Sequence, residues 1–118
     1  MAKTVLLVDD ASFMRMKMKN LVEKFGYQVV GEAATGKEGV EKYKLLNPNI
    51  VILDITMPEM DGIEALRQIM KYDSNAVVVM VSAMGQERIV METILAGAKT
   101  FIVKPYQDDK VAETLASL

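Results

Sequence analysis

The sequence contains neither cysteine nor histidine. Without cysteine there are no disulfides, no thiolate metal sites and no thiol nucleophile. Without histidine there is no Ser-His-Asp triad, no imidazole ligand and no phosphohistidine donor role. An excess of one charge is missing too. The net charge of −2 favours neither nucleic acid nor an anionic membrane as a partner. No apolar run approaches membrane-spanning length, and Met1-Ala2-Lys3 leads directly into a strand pattern with no signal peptide. A cytoplasmic location is therefore expected. With 118 residues, 51% hydrophobic and 25% charged, the chain reads as one globular domain over residues 1–118, with a full core and no linker or repeat.

What is present centres on Ile50 to Gly62. Four large apolar residues, Ile50 to Leu53, run into one carboxylate, Asp54; the run breaks at Met57-Pro58, and Asp61-Gly62 begins something new. A short continuous apolar run bounded by turn signals predicts a strand buried on both faces of a parallel sheet. Asp54 then stands at the carboxyl end of that strand, the edge where open α/β sheets bind ligands. No cation is near it in sequence, so its charge partner must come from elsewhere in the chain.

The same grammar recurs along the chain. Thr4 to Val8 is a strand pattern ending in Asp9-Asp10. Met14, Met18, Leu21, Val22 and Phe25 fall at helical spacing before Gly26. Gln28 to Gly31 is a short strand, and Thr35-Gly36-Lys37-Glu38 matches a capping box. The helix behind it carries Val40, Tyr43 and either Leu46 or Lys44-Leu45 as far as Asn47-Pro48. Asp61 to Glu64 caps a helix with Ile63, Leu66, Ile69 and Met70 inward. Val77 to Val81 is a strand ending in Ser82, followed by a helix from about Glu87 to Ala96 that stops at Gly97. Thr100 to Val103 is the last strand, ending in Lys104-Pro105, and a helix from about Asp108 carries Val111, Ala112, Leu115 and Leu118 on one side. Five strand–helix alternations with short connections predict a doubly wound α/β fold, its parallel sheet covered on both faces.

Four of the five strands thus end in chemistry: Asp9 and Asp10, Asp54, Ser82, Lys104. Taken singly these are ordinary turn, cap and surface residues, but a parallel sheet gathers all four ends along one edge. Three clustered carboxylates repel one another, and a divalent cation relieves this; Mg²⁺ suits an oxygen-only site. Lys104 supplies a point charge for a phosphoryl oxygen or for Asp54, and Ser82 a hydroxyl. These are the parts for phosphoryl transfer onto Asp54.

The strand ends Val8-Asp9-Asp10, Leu53-Asp54, Val81-Ser82-Ala83 and Val103-Lys104-Pro105, with Met57-Pro58 and Asp61-Gly62, closely resemble the receiver domain of two-component response regulators over essentially the whole chain. The runs Ser12 to Arg15, Asp54 to Met60 and Ser82 to Gln86 resemble its chemotaxis members. The resemblance implies a five-stranded flavodoxin-like (βα)5 fold with strand order 2-1-3-4-5. It implies that Asp54 accepts a phosphoryl group from a histidine kinase. Asp10, Asp54 and the backbone carbonyl of Thr56 would hold Mg²⁺ directly, and Asp9 through water. Ser82 and Lys104 would engage the phosphoryl group, and Ser82 and Phe101 would act as the switch, with phenylalanine where the family often has tyrosine. Thr56 and Met84 sit where the family tunes autodephosphorylation, and the Lys104-Pro105 bond is expected to be cis.

On the same resemblance, output runs through the fourth helix, the last strand and the last helix, and the flagellar motor switch or another output protein is the expected partner. A phosphatase belongs among the partners, and the chain itself is expected to be a monomer that turns over no separate substrate. Within the fourth helix, Val90, Ile94 and Gly97 are expected to face inward, leaving Ile89 and Leu95 off the stripe as a candidate partner surface. Met14, Met18 and Met70 read as core filling. Three alternatives remain at this point. The chain could be the receiver of a larger regulator. It could be a flavodoxin-like cofactor binder, although Asp9-Asp10 would repel an anion where a phosphate loop should lie. It could be a carboxylate-nucleophile phosphatase, although Asp54-Ile55-Thr56 lacks the second acid of an Asp-x-Asp pair.

Overall fold

In the computed structural model, residues 2–57 and 59–118 are described. Met1 and Pro58 lie outside them, and with Pro58 part of the Met57-Pro58 break read from sequence. Each apolar run is a strand and each 3.6-residue pattern a helix. The order is β1 (Thr4–Val8), α1 (Ser12–Lys24), β2 (Gln28–Ala33), α2 (Gly36–Leu46), β3 (Ile50–Asp54), α3 (Gly62–Tyr72), β4 (Val78–Ala83), α4 (Glu87–Leu95), β5 (Thr100–Lys104) and α5 (Asp108–Ala116). All four strand pairings are parallel, and the strands lie in the order β2-β1-β3-β4-β5. The expected flavodoxin-like order is the observed one.

Side chains alternate across a strand, so each central strand feeds two cores. Leu6, Val8, Val51, Leu53, Val78 and Met80 meet α2, α3 and α4 on one face. Val5, Leu7, Ile50, Ile52, Val79 and Val81 meet α1 and α5 on the other. All five residues of β3 are buried, which explains its unbroken apolar run. Each fully buried aliphatic side chain contributes roughly 1.5–3 kcal/mol relative to exposure, so the strand that ends in Asp54 is anchored from both sides.

The helix starts follow their local chemistry. Thr35 Oγ1 accepts from the Glu38 N–H at 3.1 Å. Glu38 Oε1 accepts from the Ala34 N–H at 2.7 Å, one residue earlier than a strict capping box would have it. Asp61 Oδ1 accepts from the Glu64 N–H at 3.0 Å. Glycine is required at position 62, because a Cβ there would lie 2.1 Å from the Asp54 carbonyl oxygen. The start of α3 can therefore pack directly on the Asp54 backbone.

Several expectations change. β2 runs two residues further, to Ala33, and β4 runs to Ala83, so Ser82 lies inside the strand rather than beyond it. In α4 the buried positions are Val90 and Thr93, Ile89 packs partly against the core, and Ile94 is 36% exposed. Thr93 can face inward because its hydroxyl donates to the Val90 carbonyl of its own helix at 2.7 Å. Leu95, 82% exposed, stays off the stripe as expected. Met18 is buried, while Met14 and Met70 pack at the edges of the two cores. At the end of α2, Leu45 points outward and Leu46 is only marginally exposed.

Candidate functional site

The strand order reverses direction between β1 and β3, and ligand crevices form outside the carboxyl ends of strands at such a point. Asp9 and Asp10 follow β1 there, and Asp54 ends β3. One carboxylate oxygen from each of the three lies within 4.8 Å of the others. Asp9 is fixed by its backbone: its N–H donates to Ala33 O at 3.0 Å, and its Oδ1 accepts from the Ala11 N–H at 2.9 Å. Asp10 is exposed, and Asp54 is 9% exposed.

The missing cation is Lys104, fifty residues away in sequence. Its Nζ lies 3.3 Å from Asp9 Oδ2 and 3.5 Å from Asp54 Oδ2. β4 and β5 place it there, with Ala83 and Lys104 in register and a cis peptide bond between Lys104 and Pro105. One ammonium shared between two acids does not balance them. Burial pushes the Asp54 carboxyl up to about 6; Lys104 pulls it down, Asp9 pushes it further up, and the Ile55 N–H lowers it slightly. A carboxyl so displaced, at the edge where such sheets bind ligands, makes this a candidate functional site on physical grounds.

The donor set decides which metal would fit. Three carboxylates face one lysine, every available ligand is oxygen, and Asp10 remains open to solvent. That matches a hard divalent cation that keeps several waters, as Mg²⁺ does, and suits neither zinc nor copper. Thr56, expected to contribute its backbone carbonyl, follows two residues after Asp54 and is exposed.

Ser82 is buried and lies in register with Val103 of β5. It borders an apolar groove of about 310 Å³ between α4 and β5, lined also by Met84, Met91, Ile94, Phe101 and Val103. Phe101 is 41% exposed at its rim. The structure thus gathers Asp9, Asp10, Asp54 and Lys104 into one cluster and joins Ser82 and Phe101 through a groove beside it.

Two contributors were not foreseen from sequence. Arg15 of α1 donates to the Asp9 carbonyl and pairs with Glu32 Oε1 at 3.1 Å, clamping the β1 end to β2. Gln86 bridges the loops after β3 and β4: its Oε1 accepts from the Ala83 N–H at 2.7 Å, and its Nε2 donates to Thr56 Oγ1 at 3.3 Å. Arg15 has a faint signal, as the first of three cations that follow two acids. Gln86 has none, because Thr56, thirty residues away, is brought to it by the sheet, and its contact with Ala83, three residues back, follows no capping pattern.

The chain matches the response regulator receiver domain family over residues 5–116. It is 59% identical over 115 residues to the chemotaxis protein CheY of Thermotoga maritima, covering 98% of this chain and 96% of that protein. It is 54% identical to CheY of Bacillus subtilis, with the same coverage. Among solved structures it is similar to a chain in the CheX–CheY–BeF3–Mg²⁺ complex of Borrelia burgdorferi, with a TM-score of 0.93 and 45% identity over 98% of this chain and 87% of that one. With three acids and one lysine gathered at the sheet edge by this fold, the chain belongs to the response regulator receiver domain family and is CheY-like within it.

Proposed function

We propose that the protein takes a phosphoryl group from a histidine kinase onto Asp54 and signals through altered partner binding. The observation that carries this reading is the Lys104 ammonium beside the raised Asp54 carboxyl, at a cluster of three acids. One carboxylate oxygen of Asp54 attacks the phosphorus of the donor. The bond from phosphorus to the donor atom breaks, and its electron pair leaves on the imidazole of the kinase, or on acetate when acetyl phosphate is the donor.

Asp10, Asp54 and the Thr56 carbonyl would hold Mg²⁺, with Asp9 acting through water. Bound there, the metal would supply charge neutralisation for the carboxylates and for the incoming phosphoryl oxygens. Lys104 meets one phosphoryl oxygen, and Ser82 moves to donate its hydroxyl to another. Phe101 follows into the space that Ser82 vacates, next to the groove it already borders. The acyl phosphate thereby shifts the population towards a conformer with a changed α4–β5–α5 surface.

That surface is the proposed contact for the flagellar motor switch, and a phosphatase resets the signal. The Borrelia structure, a complex of CheX and CheY with BeF3 and Mg²⁺, supports the reading that such a domain binds a second protein. In this reading the protein works as a cytoplasmic monomer and turns over no separate substrate.

Incubation with acetyl phosphate and Mg²⁺ is expected to add the mass of one phosphoryl group to the wild type and nothing to Asp54→Ala. Equal labelling of Asp54→Ala would overturn the assignment. Beryllofluoride is expected to be required for capture of a flagellar switch protein in a pull-down, and capture without it would refute the switch.

A further inference from the structure

Gln86 is the N-cap residue of α4, yet its side chain caps nothing on its own helix. A polar side chain at that position ordinarily accepts from the N–H groups of the first turn. That of Gln86 instead spends both ends of its carboxamide at the candidate site, on the Ala83 N–H at 2.7 Å and on Thr56 Oγ1 at 3.3 Å. Thr56 lies two residues beyond Asp54. Ala83 lies two residues beyond Val81, the register partner of Asp54. One side chain therefore ties the end of β4 to the loop that follows Asp54.

The Ala83 N–H is not a neutral choice of partner. Ala83 is in register with Lys104, whose ammonium reaches Asp54. A backbone donor and a cationic donor thus sit at the same row of the sheet, two residues beyond the row of Asp54. Anionic oxygens on Asp54 need such donors, and fixed backbone N–H groups are the most effective kind. This donor already carries an acceptor, a neutral carboxamide oxygen that adds no charge to a cluster of three acids.

We propose that Gln86 is a latch whose carboxamide oxygen occupies the Ala83 N–H in place of a phosphoryl oxygen. The proposal rests on the reading of Asp54 as phosphoryl acceptor. When the P–O bond to Asp54 forms and the donor's bond breaks, an oxygen of the transferred group takes the Ala83 N–H. Gln86 swings out and releases Thr56 in the same movement. Gln86 is a positioning residue, since it contacts no reacting atom. It sets how readily the site opens to receive the group.

The test compares the rate of acyl phosphate formation from acetyl phosphate and Mg²⁺, followed by intact mass, in wild type, Gln86→Ala and Gln86→Glu. Removing the competitor is expected to speed Gln86→Ala by about three- to tenfold, the range that roughly one net hydrogen bond commands. Gln86→Glu is expected to slow by about threefold or more, because a carboxylate holds the Ala83 N–H through a charge-assisted bond and adds repulsion. A purely structural role would move both variants in the same direction. The amide resonance of Ala83 gives a second readout: Gln86→Ala and wild type should differ there before beryllofluoride and coincide after it. Rates within about twofold of wild type for Gln86→Ala, less than a hydrogen bond's worth, would overturn the latch. So would shifts of the two variants in the same direction, or an Ala83 amide unchanged by Gln86→Ala. If wild type and variants alike take up no phosphoryl group, the acceptor reading of Asp54 fails instead.

Discussion

Glu38 and Asp54 are both carboxylates at the end of a secondary element, each with a lysine within reach, and their surroundings push them in opposite directions. Glu38 accepts from the Ala34 N–H at 2.7 Å and has Lys42 at 3.6 Å. The backbone hydrogen bond chiefly, with help from Lys42, holds its carboxyl below the usual range. Asp54 is buried, shares Lys104 with Asp9, and is pushed up to about 6. A carboxylate that fastens the chain is given its own donors in an open setting. One that awaits a ligand is buried and left undercompensated, so that a metal ion or phosphoryl group completes it.

That contrast can be broken experimentally, beginning with the metal. A ligand that binds only the folded state adds about 2.7 kcal/mol at a hundredfold excess over its Kd. Urea melts of the wild type with Mg²⁺ are expected to gain stability of that order, Asp54→Asn and Asp10→Asn to lose most of it, and Glu38→Gln to keep it. Without metal, the raised Asp54 carboxyl means that the folded protein holds this proton more tightly than the unfolded chain does. Its contribution is greatest in acid and falls as pH climbs from the ordinary aspartate range through about 6. Asp54→Asn is therefore expected to stabilise the metal-free protein by on the order of 2 kcal/mol at about pH 7.5, and not at all near pH 3.5. Destabilisation at the higher pH would show that the Lys104 pair outweighs the burial.

Glu38 has the opposite sign, because its carboxyl is lowered: its contribution is present above the unfolded value and lost as pH falls through the folded one. Glu38→Gln should cost about 0.5 kcal/mol in a urea melt near neutral pH, small because the pair is open to solvent, and nothing in strong acid. The smallest effect is expected at Arg67, whose pair with Glu92 at 3.5 Å is half exposed on both sides. Arg67→Ala should shift stability by no more than about 0.3 kcal/mol.

The strands, the helices and the convergence of Asp9, Asp10, Asp54 and Lys104 were legible because a parallel sheet converts a one-dimensional pattern, an apolar run ending in a polar residue, into a common edge. The strand order was not derivable from the pattern and came with the resemblance. The inward side of α4 misled for a local reason. Thr93 reads as polar, but it satisfies its hydroxyl within its own helix, while apolar Ile94 faces the groove beside Phe101. Ser82 lies one residue inside the observed strand end, beyond the expected one at Val81, because β4 keeps pairing with β5 as far as Ala83 and Lys104. Gln86 and Arg15 were hard to read as contributors, since each joins a near neighbour to a distant partner, Thr56 for Gln86 and Glu32 for Arg15.

The most direct measurement is a carbon-detected NMR titration of the Asp54 carboxyl in the metal-free protein and again with saturating Mg²⁺. The account predicts a midpoint near 6 without metal, and a carboxylate that stays ionised well below that once Mg²⁺ is bound. A midpoint in the ordinary aspartate range of about 4, unmoved by Mg²⁺, would contradict it.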